Sequence, residues 1–401
     1  MKDHGQIWQR SGRVGAIVLL IMAVCAPLLY AGDEAPPVNG KNSSIQLSGV
    51  AWVAYRYKVA DDPIYEAPGS LLGAAPKASP HEAAGRDLKS ASSFDLDRVY
   101  VTGDYNYNPR YTWETVLEGS NQGGTLSLFV KKAFLLVKQP FDIKGSMIRA
   151  GQFGHPLVEQ EVDAWGYRSV SRTAIDRYLG VSSVWAGVEG DIQFLHGALD
   201  ADGMVANAKA YNAPDDTLST VSSKYKNFMG KLTVTPLPDD PQLKGARLVL
   251  YAQYTGKDAP PASAKNHWTF TGPSAKNNHT LWFGGFPYWK TDRFTVGAEF
   301  LTRDDVTLAQ AIKSRYIGGF GSVALTKTDR VFARIDLYDP NIDANVKNDS
   351  YTVVMLGGSH QLVKGVRTIL DAEYDHFEAK APDGSNSKPD LTVTARAELS
   401  L

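Results

Sequence analysis

The residues best suited to chemistry lie in one segment, 155–180, which reads HPLVEQEVDAWGYRSVSRTAIDRYLG. Its acids are Glu159, Glu161 and Asp163, and its bases are Arg168, Arg172 and Arg177. A segment this long without a turn-only composition is usually functional. Rings of arginine select for anions in a pore, and rings of acids select for cations. We therefore expect residues 154–181 to fold into the lumen of a pore as a constriction loop. Its six charges would determine whether anions or cations pass. The alternative is a surface loop whose charges are solvated.

Motifs of common enzymes are absent from the sequence, which has no H-E-x-x-H, P-loop, EF-hand loop or G-x-S-x-G. His360 and His376 fall on predicted strands near Asp371 and Asp375, so a barrel hydrolase remains an alternative. Such an enzyme needs a nucleophile and a base within hydrogen-bonding distance. We predict no enzymatic activity, no catalytic residue, no cofactor and no metal.

The elements that would position this segment are strands in which apolar and polar residues alternate. The last segment shows this best, with apolar residues at Leu391, Val393, Ala395, Ala397, Leu399 and Leu401. Polar or charged residues fill the positions between them. Successive side chains on a strand point to opposite faces. In a membrane barrel the apolar face meets lipid and the polar face meets a water-filled lumen.

The same pattern recurs along the chain and predicts an all-β fold, a transmembrane antiparallel β-barrel of about sixteen strands. The predicted strands are 45–58, 92–106, 111–120, 126–138, 145–153, 182–194, 203–213, 227–236, 245–256, 278–289, 292–302, 313–326, 330–339, 350–361, 366–378 and 391–401. Starting from a periplasmic N-terminus, the connections alternate between short periplasmic turns and long outer loops, as in outer-membrane barrels. Because short and long connections alternate regularly along the chain, the number of strands should be even. The region 182–213 has the weakest pattern, which leaves fourteen or eighteen strands as alternatives.

The alternation also predicts which charges line the lumen. The expected bases are Arg98, Lys132, Arg149, Lys231, Arg247, Arg293, Arg334, Arg367 and Arg396. The expected acids are Glu114, Glu118, Glu299, Asp336, Asp371 and Glu373. Most of them should pair across neighbouring strands. The slight excess of bases predicts a weak preference of the lumen for anions over cations.

Composition and the N-terminus indicate where the protein acts. The 42 Lys and Arg residues nearly balance 43 Asp and Glu residues, which argues against a nucleic-acid partner. Residues 1–32 are predicted to be a secretory signal peptide, with an N-terminal membrane anchor as the alternative. Residues 33–44 would form a periplasmic lead-in and 45–401 the barrel. The only cysteine, Cys25, falls in the segment expected to be removed.

A local motif resembles a known family. Arg149, Gly151, Gln152, Phe153 and Pro156, followed by acids and then arginines, are similar to the phosphate-selective porin O and P family. This resemblance implies a sixteen-stranded, homotrimeric diffusion channel. The sequence departs from the family pattern at Gly154-His155, where a lysine is usual, and at Leu401, where an aromatic residue is usual.

Together these observations predict a porin of the bacterial outer membrane for passive diffusion of small solutes, with a finer expectation of anion (phosphate) preference. Its partners would be outer-membrane lipids and small hydrophilic solutes or anions. The alternatives are the barrel hydrolase and a structural or adhesive barrel without an open pore.

Overall fold

The computed structural model describes residues 43–60, 89–122, 125–207, 226–256, 279–306, 311–342, 350–378 and 388–400. The predicted signal peptide, the lead-in up to residue 42 and Leu401 lie outside the described residues. The strands are β1 Ser44–Ala60, β2 Ser92–Asn106, β3 Tyr111–Gln122, β4 Thr125–Lys138, β5 Met147–Gly154, β6 Val184–Phe194, β7 Leu199–Asn207, β8 Lys226–Val234, β9 Ala246–Gly256, β10 His279–Lys290, β11 Phe294–Val306, β12 Ala311–Ala324, β13 Asp329–Asp339, β14 Tyr351–Val363, β15 Val366–Phe377 and β16 Asp390–Ser400. The helices are α1 Pro156–Trp165 and α2 Ala174–Arg177.

The sixteen strands form one closed barrel in which every strand pairs with its neighbours in the sequence. The seam is the antiparallel pairing of β1 with β16, which runs from Val50 opposite Ser400 to Ala60 opposite Leu391. The predicted all-β class, antiparallel topology and strand number are confirmed. Because the sheet closes on itself, each of the described strands has a paired neighbour on both sides.

The two-residue alternation decides which side chains face outward. On β13, Ile335 and Leu337 are 45% and 44% exposed, whereas Asp336 between them is fully buried. On β11, Phe300 is 43% exposed and Glu299 only 6%. The outer surface is therefore apolar and the charges point into the barrel, as the sequence pattern predicts.

Two β-bulges interrupt the alternation and turn extra charges inward. Between β1 and β2 the register shifts at Trp52 and Val53, which leaves Asp97 as the additional residue. Between β3 and β4 the shift leaves Lys131 as the additional residue. A bulge inserts one residue into a strand and changes the side toward which neighbouring side chains point. Lys131 and Lys132 consequently both reach carboxylates in the lumen.

The connections at one end of the barrel, here the turn end, are short. The turn between β6 and β7 differs most from expectation, because β7 begins at Leu199 rather than at residue 203. The chain reverses at Leu195 and His196, whose φ angles are positive at 51° and 57°. Asp200 and Asp202, which resemble turn residues in the sequence, instead lie on the strand. Asp202 pairs with Lys231 on the neighbouring strand β8, which stabilises a carboxylate at a strand position.

The helices lie in the connection between β5 and β6. Pro156 occupies the first turn of α1, where a missing N–H costs no hydrogen bond. Gly166 ends α1 with a φ of 75°, a conformation that glycine adopts without steric cost. Among the described residues, neither helix has the length and apolar character needed to cross a bilayer.

The outward orientation of β11 yields a stability prediction. Replacing Ala298, on the exposed face near the middle of β11, by arginine places a charge against the hydrocarbon of a bilayer. We expect the free energy of unfolding in lipid vesicles to fall by about 2–4 kcal/mol. Leu325→Arg in the turn between β12 and β13 is the control, with an expected loss of at most about 1 kcal/mol. Equal losses for the two variants would contradict the assignment of the lipid-facing surface.

Candidate functional site

The segment between β5 and β6 crosses the interior of the barrel. It contacts inward-facing residues on strands far from its own attachment points. Its anchoring hydrogen bonds join His155 to Gln253, Gln160 to Thr233, Asp163 to Lys290, Gly166 to Arg367, Tyr167 to Ser359, Arg172 to Arg334, Arg177 to Glu373, Tyr178 to Asp336, and Leu179 to Arg303. We refer to residues 155–181 as the inserted segment. Because Lys290 and Arg367 lie at the turn end of their strands, the segment descends deep into the lumen before it returns.

The first acid of the inserted segment joins α1 to the wall beside it. Glu159 accepts hydrogen bonds from Lys132 at 2.6 Å and from Arg149 at 2.7 Å. Burial acts to raise the pKa of Glu159, but the charges of these two bases outweigh it and hold the pKa at about 2. Glu159 therefore stays ionised across the physiological range and acts as a fixed clamp.

The other two acids have different surroundings. Asp163 is 59% exposed at its side chain and pairs with Lys290 at 2.6 Å. Glu161 is 5% exposed and faces Glu299 of β11, itself 6% exposed. Asp163 thus remains accessible to solutes, whereas Glu161 is part of the contact between α1 and the wall.

The three arginines of the segment also differ in their accessibility. Arg177 is buried and pairs with Glu373 at 2.7 Å. Arg168 is largely buried and pairs with Asp176. Arg172 has a side chain that is 41% exposed, and its closest carboxylate oxygen, on Asp176, is 3.9 Å away. Of the six residues predicted to set selectivity, Asp163, Arg172 and Glu159 have the most exposed side chains, and of these three Arg172 alone has no carboxylate or base within 3 Å among the described residues.

Arg172 lies in a strongly basic environment. Partial burial lowers its pKa, and the positive charges of Arg98, Arg168 and Arg177 act in the same direction. Asp176 is the carboxylate that opposes this effect. Four guanidinium groups therefore lie near one another, and Arg172, the one with the weakest pairing, is also the most exposed of the four.

Aromatic packing holds the end of the segment next to this cluster, where the Arg177 guanidinium lies 5.5 Å from the ring centroid of Tyr178. The ring of Tyr178 stacks on Tyr316 at 5.2 Å and on Tyr338 at 5.3 Å between centroids. Asp336 accepts hydrogen bonds from the hydroxyl groups of Tyr178 at 2.7 Å and Tyr316 at 2.6 Å. Since Tyr178 is 1% exposed, this contact fixes the end of the segment against β12 and β13.

Carboxylates or hydroxyls bind most of the bases that the sequence predicts to line the lumen. The pairs are Arg98 with Glu118, Lys132 with Glu159, Arg149 with Glu159 and Glu189, Lys231 with Asp202, Arg247 with the Tyr288 hydroxyl, Arg334 with Asp336, Arg367 with Glu398, and Arg396 with Asp371. The prediction for Arg293 is wrong. This residue precedes β11, in the turn, and its side chain is exposed there. Turn geometry at Thr291, whose hydroxyl accepts from the backbone N–H groups of Arg293 and Phe294, keeps Arg293 out of the strand.

Two polar cavities flank α1. One has a volume of about 360 Å³ and lies against β1 and β14–β16, with Arg168, Arg367 and Glu398 among its lining residues. The other has a volume of about 300 Å³ and lies against β5–β9, with Glu159, Glu189, Asp200, Asp202, Arg149 and Lys231 among its lining residues. The lumen beside the helix is therefore wet and charged, which suits hydrophilic solutes.

A strict alternation of inward and outward residues does not predict several of the charged residues of this site. Lys131 contacts Glu118 at 2.8 Å, and Asp97 contacts Arg396 at 3.3 Å. Both follow from bulges, which no strand periodicity indicates. Asp176 is visible in the sequence between Arg172 and Arg177, and its spacing of four residues from Arg172 is the signal that would have identified it as a partner.

The histidines considered for a hydrolase lie outside the lumen. His360 binds the carboxylate of Asp329 at 2.7 Å, with both side chains exposed near the turn end. His376 lies on the exposed face of β15. No group of three or more potential metal ligands occurs within the part of the chain that the structure describes.

The closed sixteen-stranded antiparallel barrel matches the fold of outer-membrane barrel proteins. An anion-selective porin from Comamonas acidovorans is similar, with a TM-score of 0.59 and 13% identity over 90% of this chain and all (100%) of that one. The outer-membrane channel DcaP of Acinetobacter baumannii gives a TM-score of 0.56 and 10% identity over 90% and 98% of the two chains. The trimer form of OmpT, an outer-membrane protein of Vibrio cholerae, gives 0.56 and 11% over 90% and 100%. No family model and no curated protein sequence matches the chain.

The contact at the start of the inserted segment predicts a pH dependence. His155 is fully buried, with Nε2 2.8 Å from Oε1 of Gln253, and burial lowers its pKa to about 4. An unfolded histidine titrates near about pH 6.5. The unfolded state therefore binds the extra proton between these values, and the free energy of unfolding falls as the pH decreases through that window.

We expect His155→Gln to remove this part of the decrease, up to about 3 kcal/mol between about pH 7 and about pH 4. Denaturant unfolding of the wild type and the variant at both pH values measures the difference. His376→Gln, at an exposed position, should retain the wild-type dependence. Identical pH profiles for His155→Gln and the wild type would show that His155 is not buried in its neutral form.

Proposed function

We propose that this protein is a porin of the bacterial outer membrane that lets small hydrophilic solutes diffuse through its lumen. The closed barrel with an apolar exterior suits a bilayer, because every strand has a hydrogen-bonded neighbour on both sides. The charged cavities on both sides of α1 provide a polar path. Similarity to an anion-selective porin and to an outer-membrane channel supports the same function.

We further propose a preference for anions, inorganic phosphate among them. The observation that carries this proposal is the exposure of Arg172 within the cluster of Arg98, Arg168 and Arg177. An accessible guanidinium with weak pairing attracts an anion without first breaking a strong ion pair. Guanidinium groups also bind phosphate oxygens through several N–H donors in one plane. Two of the four acids on β6 and β7 are offset by bases, since Glu189 pairs with Arg149 and Asp202 with Lys231.

The proposal assigns no catalytic role to any residue. His360 and His376, the bases on which a hydrolase would depend, are on the outer surface, away from the cavities beside α1. Hydrolysis of polar substrates would require them to reach the lumen. A porin function is consistent with the placement of the charged groups inside the barrel and of these histidines outside it.

Planar-bilayer recording tests the channel and its selectivity together. The purified protein should give open-channel currents, and a salt gradient should give a reversal potential that indicates anion preference. Arg172→Gln should lower the anion-to-cation permeability ratio by a factor of about 2 to 5, because one unit charge close to an ion in water contributes up to about 1 kcal/mol. Arg293→Gln, which removes an exposed arginine from the turn end, is the matched control and should change the ratio less.

Absence of current from folded protein would contradict the porin proposal. Normal current with a permeability ratio that Arg172→Gln leaves unchanged would contradict only the selectivity proposal. The wild type should also conduct less chloride when phosphate is added, if phosphate occupies the arginine cluster.

We also propose that the protein assembles as a homotrimer. A concave apolar groove of about 1040 Å³ runs over the outer surface of β13–β16, β1 and β2, with Leu356, Leu370 and Ala395 among its lining residues. Large exposed apolar surfaces often mark protein contacts, and one similar barrel is described as a trimer. Light scattering of the detergent-solubilised protein should give three chains per particle, and one chain per particle at all concentrations would contradict the proposal.

A further inference from the structure

Two carboxyl groups meet at the contact between the inserted segment and the barrel wall. Glu161 lies in the middle of α1 and is 5% exposed, and Glu299 on β11 is 6% exposed. The helix α1 contacts β11, and the two carboxyl groups face each other closely enough to interact directly. A carboxylate has only acceptor atoms, so two carboxyl groups can hydrogen bond only if one carries a proton.

The surroundings of this pair do not supply enough positive charge for two carboxylates. The Thr173 hydroxyl and the backbone N–H of Ile175 are the donors nearest to Glu161, but neither makes a hydrogen bond of normal geometry with its Oε atoms, and Oε1 of Glu299 also has no such bond among the described residues. Arg334 on β13 is the nearby cation, but its guanidinium binds Asp336 and the carbonyl of Arg172, each at 2.8 Å. A fully buried pair with two negative charges would therefore be strongly unfavourable.

The other titratable groups that face the pair also disfavour a double charge. Tyr251 on β9 lies beside both carboxyl groups, and Asp336 on β13 and Tyr316 on β12 lie near Glu299. None of these three groups is a cation. Burial raises the pKa of Glu161, which favours the protonated form at neutral pH.

We propose that Glu161 and Glu299 share one proton, and that this proton positions α1 against β11 and thereby holds the inserted segment across the channel. Glu161 and Glu299 are positioning residues, since neither carboxyl group is open to solutes. At alkaline pH the shared proton passes to hydroxide in the lumen. The two carboxylates then repel each other at a buried contact, and α1 separates from β11.

The direction of the pH dependence follows from linkage. A buried carboxyl group with a raised pKa binds its proton more tightly in the docked state than after release. Docking is therefore favoured below the raised pKa and weakened as the pH rises through it. The clamp at Glu159, which stays ionised, does not share this dependence.

The first experiment records single channels of the wild type, Glu161→Gln and Glu299→Gln from about pH 5 to about pH 10; this arm depends on the proposed porin function. The wild type should lose its steady open level at alkaline pH, with more frequent transitions between levels. Both glutamine variants should lose this pH dependence, because an amide donates to the remaining carboxylate without ionising. Glu398→Gln removes a different inward-facing carboxylate, one paired with Arg367, and should keep the alkaline transition.

The second experiment does not require conduction and uses the wild type. The infrared difference spectrum between the wild type and Glu299→Gln at neutral pH should show a carboxylic-acid C=O band that belongs to the wild type and disappears at alkaline pH. If this band is missing from the wild type at neutral pH, the shared proton does not exist. If the band is present but all variants gate alike at every pH, the proton does not position α1. Absence of all channel current with the band present would contradict the porin function and leave the shared proton supported.

Discussion

The pairing of β1 with β16 is the constraint on which the rest of the molecule depends. It closes the sheet, so that each strand has a hydrogen-bonded neighbour on both sides. In the hydrocarbon region of a bilayer an unpaired backbone N–H or C=O group costs several kcal/mol, because no water is present to bind it. Closure also creates an interior, and only in that interior can the alternating charges of the strands be hydrated or paired.

The interior is organised by charge compensation. The inserted segment brings its own acids and bases into the lumen and pairs most of them with residues of the wall, as Glu159 does with Arg149 and Arg177 does with Glu373. Partly buried ion pairs of this kind fix geometry when their hydrogen bonds are satisfied. A charged group that is left without a close partner is then available to interact with solutes. Arg172 projects into the lumen because its only nearby carboxylate, among the described residues, is 3.9 Å away and already bound by Arg168.

The sequence was sufficient to predict the barrel, because the lipid-facing and lumen-facing positions follow a period of two. This period identifies the outward residues of β11 and β13 and most of the inward bases. It fails at Lys131 and Asp97, where a bulge changes the side of the sheet, and at Arg293, because β11 begins two residues later than predicted.

The partners of the charges could not be predicted in the same way. Tyr178 meets Asp336 across a sequence separation of 158 residues, and Arg177 meets Glu373 across 196. Such contacts depend on how far the inserted segment descends into the lumen and on where its helix ends. The local composition of 155–180 indicates that the segment is important, but it contains no information about the opposite wall.

The distribution of the anchors has a consequence for biogenesis. The inserted segment leaves the chain after β5, yet its contacts with Asp336 and Glu373 are with β13 and β15, which are synthesised much later. The segment therefore has no complete set of partners until the last quarter of the polypeptide arrives. Closure of the barrel and docking of the inserted segment inside it must then both occur late in synthesis, and each depends on the other. A chain that ends before β15 would lack both the closing strand β16 and the residue Glu373, which binds the inserted segment. Such a chain should remain a substrate for periplasmic quality control.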